Sequence, residues 1–327
     1  MFSMRFDMRA PAHGAPAADL YAAAIDMVEW ADDRGCAMVV LSEHHASSDG
    51  YLPTPIVLAS AMAARTKHVH FMIAAALLPL YEPVRLAEEM AVLDLVSRGR
   101  VSYVFGLGYR PEEFEHFGLA MSDRVARTEA NLDIVLRAMR EGTFSLDGRR
   151  ISVTPAPMTP GGPRLAYGGQ SVGAARRAAR FGLDFLAQTD TPALGDAYRD
   201  EAARLGTTPG NCTLPNPDLP LTTFVADDLD QAWQELGPYL LHDATMYASW
   251  NEDDNRTASL SHSKTVEALR AEQRAHRVFD VGEAVEYLRT HGFLSLHPLV
   301  GGLPPAIAWP YLERVVNDVL PALAPTN

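Results

Sequence analysis

Ser42-Glu43-His44-His45 sets a carboxylate and two imidazoles side by side. An imidazole titrates near neutrality, so a histidine placed here can act as acid, base or hydrogen-bond donor. The competing reading makes one of the pair a buried residue with its hydrogen bonds satisfied. His68 and His70 have the H-x-H spacing of a metal clamp, but no carboxylate cluster accompanies them. A catalytic metal needs three or four convergent ligands, so these two are not read as a metal site. Gly106-Leu107-Gly108 looks like the opening of a dinucleotide fingerprint, yet Pro111 stands where the third glycine belongs. A lone G-x-G is weak evidence, and the pair is better read as backbone that a ligand can approach, with Tyr109 and Arg110 beyond it. Gly168-Gly169-Gln170-Ser171 offers free amides and a hydroxyl, with Arg176, Arg177 and Arg180 following. That combination is an anion site if it opens a helix, or equally a tight turn with Ser171 as an ordinary N-cap. Val300-Gly301-Gly302 is a rival cradle. Ala74-Ala75-Ala76 puts three small side chains in a row, which leave room for a flat ligand or match bulky neighbours.

These residues matter only if the elements around them converge. Met4–Arg9 reads as a strand and Asp19–Arg34 as a helix, with Leu20, Ala24, Met27, Val28 and Ala31 on one face. Residues 37–41 form a continuous apolar run of the kind that is covered on both faces in parallel sheets. The alternation continues through strands at Val69–Leu78, Arg100–Leu107, Leu165–Tyr167, Asp184–Ala187, Leu221–Val225 and Phe293–Leu296. Helices are expected at Pro83–Ser97, Arg124–Glu141, Ser171–Phe181 and Ala306–Leu320, and a hairpin over Phe144–Val153 around Asp147-Gly148. Leu229–His291 reads as mostly helical, with an insertion placed at about residues 243–280. Eight βα units over this length predict a single (β/α)8 barrel spanning residues 1–327, in preference to an open doubly wound sheet. In such a barrel, chemistry gathers where the strands end and their loops begin. That places Glu43, His44, the Gly106 loop and the Gly168 turn on the active face, and His68 and His70 on the opposite one. His242, Asp243, Tyr247, Trp250 and His297 are further candidates for the pocket, with an ordinary loop reading equally open.

Composition narrows the class. The chain has 327 residues with a formal charge of −13, which opposes general binding to nucleic acid or an anionic membrane. Cys36 and Cys212 are too few for a disulfide framework, which points to a reducing compartment and a cytoplasmic location. The longest apolar run, Phe71 to Leu80, falls short of the ~20 residues a membrane span needs. The N-terminal MFSMRFDMR carries charge through its apolar stretch and is not read as a signal peptide.

Five motifs in order resemble the bacterial luciferase-like flavin monooxygenases. They are S-E-H-H at 42–45, A-A-A-L-L-P-L-Y-E-P-V-R-L-A-E-E at 74–89, S-R-G-R-V at 97–101, G-L-G-Y-R-P-E-E-F at 106–114, and G-G-Q-S followed by A-A-R-R-A-A within 168–179. The resemblance runs from the first strand to about residue 190 and resumes weakly at Leu296–Leu323. It implies an isoalloxazine ring at the C-terminal face of the barrel, beside a non-prolyl cis peptide at Ala74-Ala75 or Ala75-Ala76. It also implies that His44, with His45 beside it, supports oxygen chemistry on the flavin, and that Gly169-Gln170-Ser171 binds the flavin phosphate. Glu43, Ala74, Ala75, Ala76, Gly106, Gly108, Tyr109 and Gly168 complete the expected cofactor site. One departure stands out. Luciferase uses an arginine for the phosphate just after the fourth strand, where this chain has Leu107, so Arg110 or Arg177 is the expected substitute.

The resemblance therefore implies a monooxygenase using FMN, reduced by a separate flavin reductase, and molecular oxygen on a small, partly apolar organic substrate. Pairing into a homodimer is implied by the same kinship. The runner-up is hydride transfer with the deazaflavin coenzyme F420, whose enzymes also place a histidine here, often after Asp rather than Glu. A non-catalytic flavin-binding subunit is the third reading, opposed by retention of Glu43-His44-His45.

Overall fold

Strands and helices alternate along the chain of the computed structural model, which describes residues 1–323. The last four residues of the expected 1–327 unit lie outside the described range. Strand β1 (Phe2–Phe6) leads to α1 (Ala17–Ala31), β2 (Cys36–Leu41) to α2 (Pro55–Arg65), and β3 (His70–Leu77) to α3 (Pro83–Ser97). After β4 (Val101–Gly106) come a short α4 (Pro111–His116) and the long α5 (Arg124–Glu141). Strands β5 (Thr143–Leu146) and β6 (Arg149–Ser152) form a separate antiparallel hairpin. Asp147 and Gly148 both take positive φ, as a two-residue hairpin turn requires. Then follow β7 (Arg164–Gly169), α6 (Val172–Arg180), β8 (Asp184–Ala187), α7 (Pro192–Leu205), β9 (Cys212–Thr213) and β10 (Thr222–Val225). The remainder is α8 (Leu229–Trp250), α9 (Val266–Glu272), β11 (His276–Phe279), α10 (Val281–His291), β12 (Leu294–Leu296) and α11 (Pro305–Arg314).

The fold is α/β. Its main sheet runs in the order β11-β10-β12-β1-β2-β3-β4-β7-β8-β9, and every pairing in it is parallel. Strands β9 and β11 stand at the ends of the ladder. The two ends are tied along the chain, because β9 leads directly into β10, the neighbour of β11. The expected count of eight strands is too low for this sheet. Strand β9 is only two residues long, and β11 is four residues inside a stretch whose surroundings read as helical. Two residues hold no period to detect, and the helical reading of Leu229–His291 left no place for β11. The stretch 243–280 holds the last turns of α8, an irregular segment, α9 and β11.

Local chemistry explains the element boundaries. Helix α3 starts with Pro83 in its first turn and the Glu82 carboxylate accepting from the Arg85 amide, and it ends at Arg98 in the left-handed region. Helix α10 opens on a reciprocal capping box between Asp280 and Glu283. All six residues of β4 are buried, as a central parallel strand demands. The core runs from Phe2, Met4 and Phe6 through Phe71, Phe105 and Phe185 to Val315 and Val319. Among the described residues, no helix is long and apolar enough to cross a membrane.

Candidate active site

A cavity of about 560 Å³ opens where β1, β2, β3, β4 and β7 hand over to their loops. Because Ser42 and Glu43 follow β2 directly, His44 arrives at its mouth, and the His44 amide donates to the Leu52 carbonyl to fix the turn. The imidazole is 7 % exposed. His44 Nδ1 lies 2.8 Å from Glu113 Oε1, and Nε2 faces the Tyr109 hydroxyl at 3.4 Å. Burial holds His44 below its ordinary value of 6.5 even though Glu113 pulls the other way. Burial pushes Glu113 up, but its hydrogen bond with His44 and the nearby charges prevail and hold it below the ordinary carboxylate value. An ionised Glu113 makes Nδ1 the protonated nitrogen and leaves the Nε2 lone pair toward the cavity. Four aromatic rings, those of Tyr51, Tyr109, Tyr247 and Trp250, pack around His44 at centroid distances of 4.8 to 6.3 Å.

Glu43 also lines the cavity but is tied down. It accepts from Tyr81 Oη at 2.6 Å and from the Leu77 amide at 3.3 Å, and it pairs with His45 Nε2 at 2.8 Å. Burial raises it above the usual carboxylate value. His45 lies behind the cavity wall, with its ring against Phe117 and its amide donating to Glu113 Oε1.

The floor between β3 and β4 is flat because its side chains are small. Ala74 and Ala75 line it, the peptide between them is cis, and Ala75 is the residue at which the β3–β4 register shifts. Ala76 points away and is fully buried. A Cβ at Gly106 would sit 3.0 Å from that of Ala75. Gly106, Gly108, Tyr109, Gly168, Gly169, Gln170 and Ser171 all reach the same cavity. Ser171 caps α6 by accepting from the Ala174 amide, and a Cβ on Gly169 would come within 2.6 Å of the Ala174 methyl. The turn is thus a helix cap whose residues also line the cavity.

The two arginines expected at this end face elsewhere. Arg110 Nη1 donates to the His45 carbonyl at 2.8 Å, and its guanidinium stacks 4.1 Å above Trp250. Arg177 donates to Glu129 at 3.0 Å and leans on Tyr167. Arg124, at the start of α5, does line the cavity. Its Nη1 donates to the Met121 carbonyl, and its Nε is buried without an acceptor. No motif marked Arg124, which sits between a turn and a helix like many solvent-facing arginines. Glu113 was missed for a similar reason, as one of three acids at 112–115.

A histidine with an orienting carboxylate, a flat floor and a helix-capping turn share one cavity. The luciferase-like monooxygenase family model matches residues 2–290. The chain belongs to that family. The alkanal monooxygenase alpha chain of Photorhabdus laumondii subsp. laumondii is 30% identical over 160 residues, covering 47% of this chain and 45% of the relative. The chain thus matches about half the length of such curated relatives, or less. Among solved structures, the monooxygenase RslO1 from Streptomyces bottropensis superposes with a TM-score of 0.76 at 23% identity over 99% of both chains. The oxygenating constituent of 3,6-diketocamphane monooxygenase from a Pseudomonas putida plasmid, in complex with FMN, gives 0.69 at 17% identity over 99% of both. An F420-dependent secondary alcohol dehydrogenase in complex with an F420-acetone adduct gives 0.67 at 15% identity over 98% of both. These structures share the luciferase-like barrel fold with this chain.

The remaining candidates of this luciferase-like chain are spread more widely. Tyr247 lines the cavity, Trp250 backs His44, and His242 pairs with Asp49 at 2.9 Å. His70 bonds Ser102 at the start of β3, and His68 is exposed. Val300-Gly301-Gly302 is buried against the backbone of Tyr239, Gly14 and Arg9 and does not line the cavity. Asp7, Asp243 and His297 bring ligand atoms within 4.8 Å of one another, a convergence at this face that sequence spacing did not suggest. The Arg9 guanidinium already supplies a cation there, with Nε 3.3 Å from Asp7 and 3.8 Å from Asp243.

Proposed function

We propose that the chain is a flavin-dependent monooxygenase that takes reduced FMN, molecular oxygen and a small, partly apolar organic substrate into this cavity. When bound, the reduced flavin supplies the electrons that activate oxygen. The observation that carries the reading is the His44–Glu113 pair, whose Nε2, beside the Tyr109 hydroxyl, faces the cavity that also holds the Gly168–Ser171 turn. The residues fit such a cofactor. Arg124, with an unpartnered Nε, and the amides of Gly169, Gln170 and Ser171 are placed to hold a phosphate. Gly168, Gly106, Gly108, Ala74 and Ala75 leave flat space for a ring system. Arg110 acts through the His44 support, since it bonds the His45 carbonyl and Glu113, and Arg177 braces α6 against Glu129. His44 accepts or returns a proton at Nε2, Glu113 fixes its tautomer, and the surrounding aromatic rings exclude water.

A separate flavin reductase delivers the reduced coenzyme by diffusion. Val57 on α2, and Val92, Leu95 and Val96 on α3, are exposed apolar side chains on two helices that pack together, which supports a homodimer through this face. Free Cys36 and Cys212 suit a reducing, cytoplasmic setting.

Parallel anaerobic titration with reduced FMN and reduced F420 tests the proposal. Saturable binding of reduced FMN, weakened at least ~tenfold in Arg124→Met, is expected, because a charge-assisted hydrogen bond is worth about 1.5–3 kcal/mol. Preference for F420 would replace this reading with deazaflavin-dependent hydride transfer. Failure to bind either coenzyme would overturn both.

A further inference from the structure

Arg5 enters the cavity from β1 with most of its hydrogen-bonding capacity free. Side chains alternate along a strand, so Phe2, Met4 and Phe6 go to the core while Ser3 and Arg5 line the cavity. Ser295, the register partner of Ser3, and Val40, the register partner of Arg5, line it beside them. The guanidinium donates from Nη2 to the Tyr247 hydroxyl at 2.5 Å, and its Nε is buried with no acceptor. Among the described residues, no carboxylate forms an ion pair with Arg5. Asp7 and Asp243 act on it only at longer range.

Its neighbour Arg9 shows the contrast. Arg9 is fully buried and engaged by Asp7, Asp49 and Asp243, the second of these at 2.5 Å. Burying a cation with a single neutral acceptor is costly, and proteins satisfy such a group with an ionic partner. At Arg5 the place for that partner is the cavity itself. A guanidinium presents paired N–H donors that match a planar oxyanion better than any neutral oxygen does.

The cofactor phosphate does not fill this role. Strand β1 lies four strand positions from β7 in the sheet order, with β2, β3 and β4 between them. At a spacing of ~4.8 Å per strand they are ~19 Å apart measured around the sheet, so Arg5 and the Gly168–Ser171 turn stand on different walls of the cavity. The walls near Arg5 are the rings of Tyr51 and Tyr247 and the hydroxyls of Ser3 and Ser295, none of them charged.

We infer that Arg5 determines substrate specificity: the cavity takes an organic acid with an apolar body, and its negatively charged oxygen is held by the Arg5 guanidinium beside the Tyr247 hydroxyl. This deepens the proposed function and rests on reading the cavity as the place of reaction.

The test compares benzoate with its neutral isostere benzamide by calorimetric titration of the whole chain. Wild type is expected to bind benzoate at least ~tenfold more tightly. That preference should vanish in Arg5→Met, survive in part in Arg5→Lys and persist in Arg124→Met. Crystals soaked with 4-bromobenzoate should show the bromine by anomalous scattering, and the carboxylate within hydrogen-bond distance of Arg5. Equal affinity for the two probes, a preference that outlives Arg5→Met, or a carboxylate seated on the Gly168–Ser171 turn overturns the inference. If Arg5→Met fails to fold, the wild-type soak and the Arg124→Met comparison still decide. Reduced FMN is titrated into the same preparations. Loss of flavin binding with the benzoate preference intact sinks only the flavin reading, and the reverse sinks only this one.

Discussion

At the β4–β7 end of the cavity the available contacts come from backbone. Gly168 and Gly169 end β7, Ser171 caps α6, Gly106 and Gly108 let the chain pass close by, and Arg124 adds one side chain. At the β1 end the contacts come almost wholly from side chains. Arg5, Asp7 and Arg9 meet Asp49, Tyr51, Asp243 and Tyr247, drawn from the first strand and the loop after it, the loop after β2 and the last turns of α8. Backbone sites are built by a few consecutive residues and tolerate change around them. Side-chain networks depend on every member, because removing one leaves the others buried and unpaired. The two ends should therefore fail differently.

The largest effect is expected at the β1 end. Arg9→Met removes the buried cation that Asp7, Asp49 and Asp243 share and leaves them only their histidine partners, so unfolding in urea should show a loss of about 3–5 kcal/mol. The pH dependence sharpens this expectation. Burial tends to raise Asp49, but hydrogen bonds from His242 and the charge of Arg9 hold it at about 2, below its ordinary 3.8. A carboxyl depressed by the fold contributes stability above its unfolded value and loses it as pH falls through the folded value. Wild type should therefore weaken between about pH 4 and 2 through this residue, and Arg9→Met should weaken less. If Arg9→Met proves nearly neutral, the contrast between the two ends is wrong.

A smaller loss is expected at the other end. Gly169→Ala puts a Cβ within 2.6 Å of the Ala174 methyl, which has no flexible end to swing aside. The first turn of α6 must shift, at about 1–3 kcal/mol, while reduced-FMN affinity falls more steeply than stability. Paired urea and flavin titrations of this variant check that order. A variant that loses stability but keeps its flavin affinity would show that the turn is structural, as the plain N-cap reading has it.

The same contrast explains what could be read from the sequence. The Gly168–Ser171 turn, the Gly106 loop and the alanine run are contiguous, and their residue types state a backbone requirement directly. Helix α3 and strand β8 were bounded to the residue because Pro83 and the apolar residues 185–187 after Asp184 mark them locally, and α5 because Leu132, Val135, Leu136 and Met139 share a face. The Asp7–Arg9–Asp49–Asp243 network was not legible. Its members are isolated charged residues, and only the return of α8 over β1 joins them. Glu113 was missed because its partner, His44, is far away in the chain, and Arg124 because only the folded cavity brings it to the site. Strand β9, at two residues, has no period, and β11 was hidden inside the Leu229–His291 stretch read as helical.

The smallest expected effect concerns the residue between the two ends. His44 is held below 6.5 by burial, and the hydrogen bond and charge of Glu113 oppose that shift. Glu113→Gln removes the opposing charge while keeping the shape, so the His44 midpoint, followed by NMR of its ring protons, should move lower still. Above its unfolded midpoint the neutral imidazole contributes stability, which is lost as pH falls through the folded midpoint. The variant should therefore lose more than wild type on mild acidification. Arg124→Met, at the far end of the cavity, should leave the His44 titration where it is. A midpoint that rises in Glu113→Gln would mean that this carboxylate is not ionised beside His44. The Nε2 lone pair would then lose its assignment, and the β1 end, with Arg5 and Tyr247, would become the stronger candidate for handling the proton.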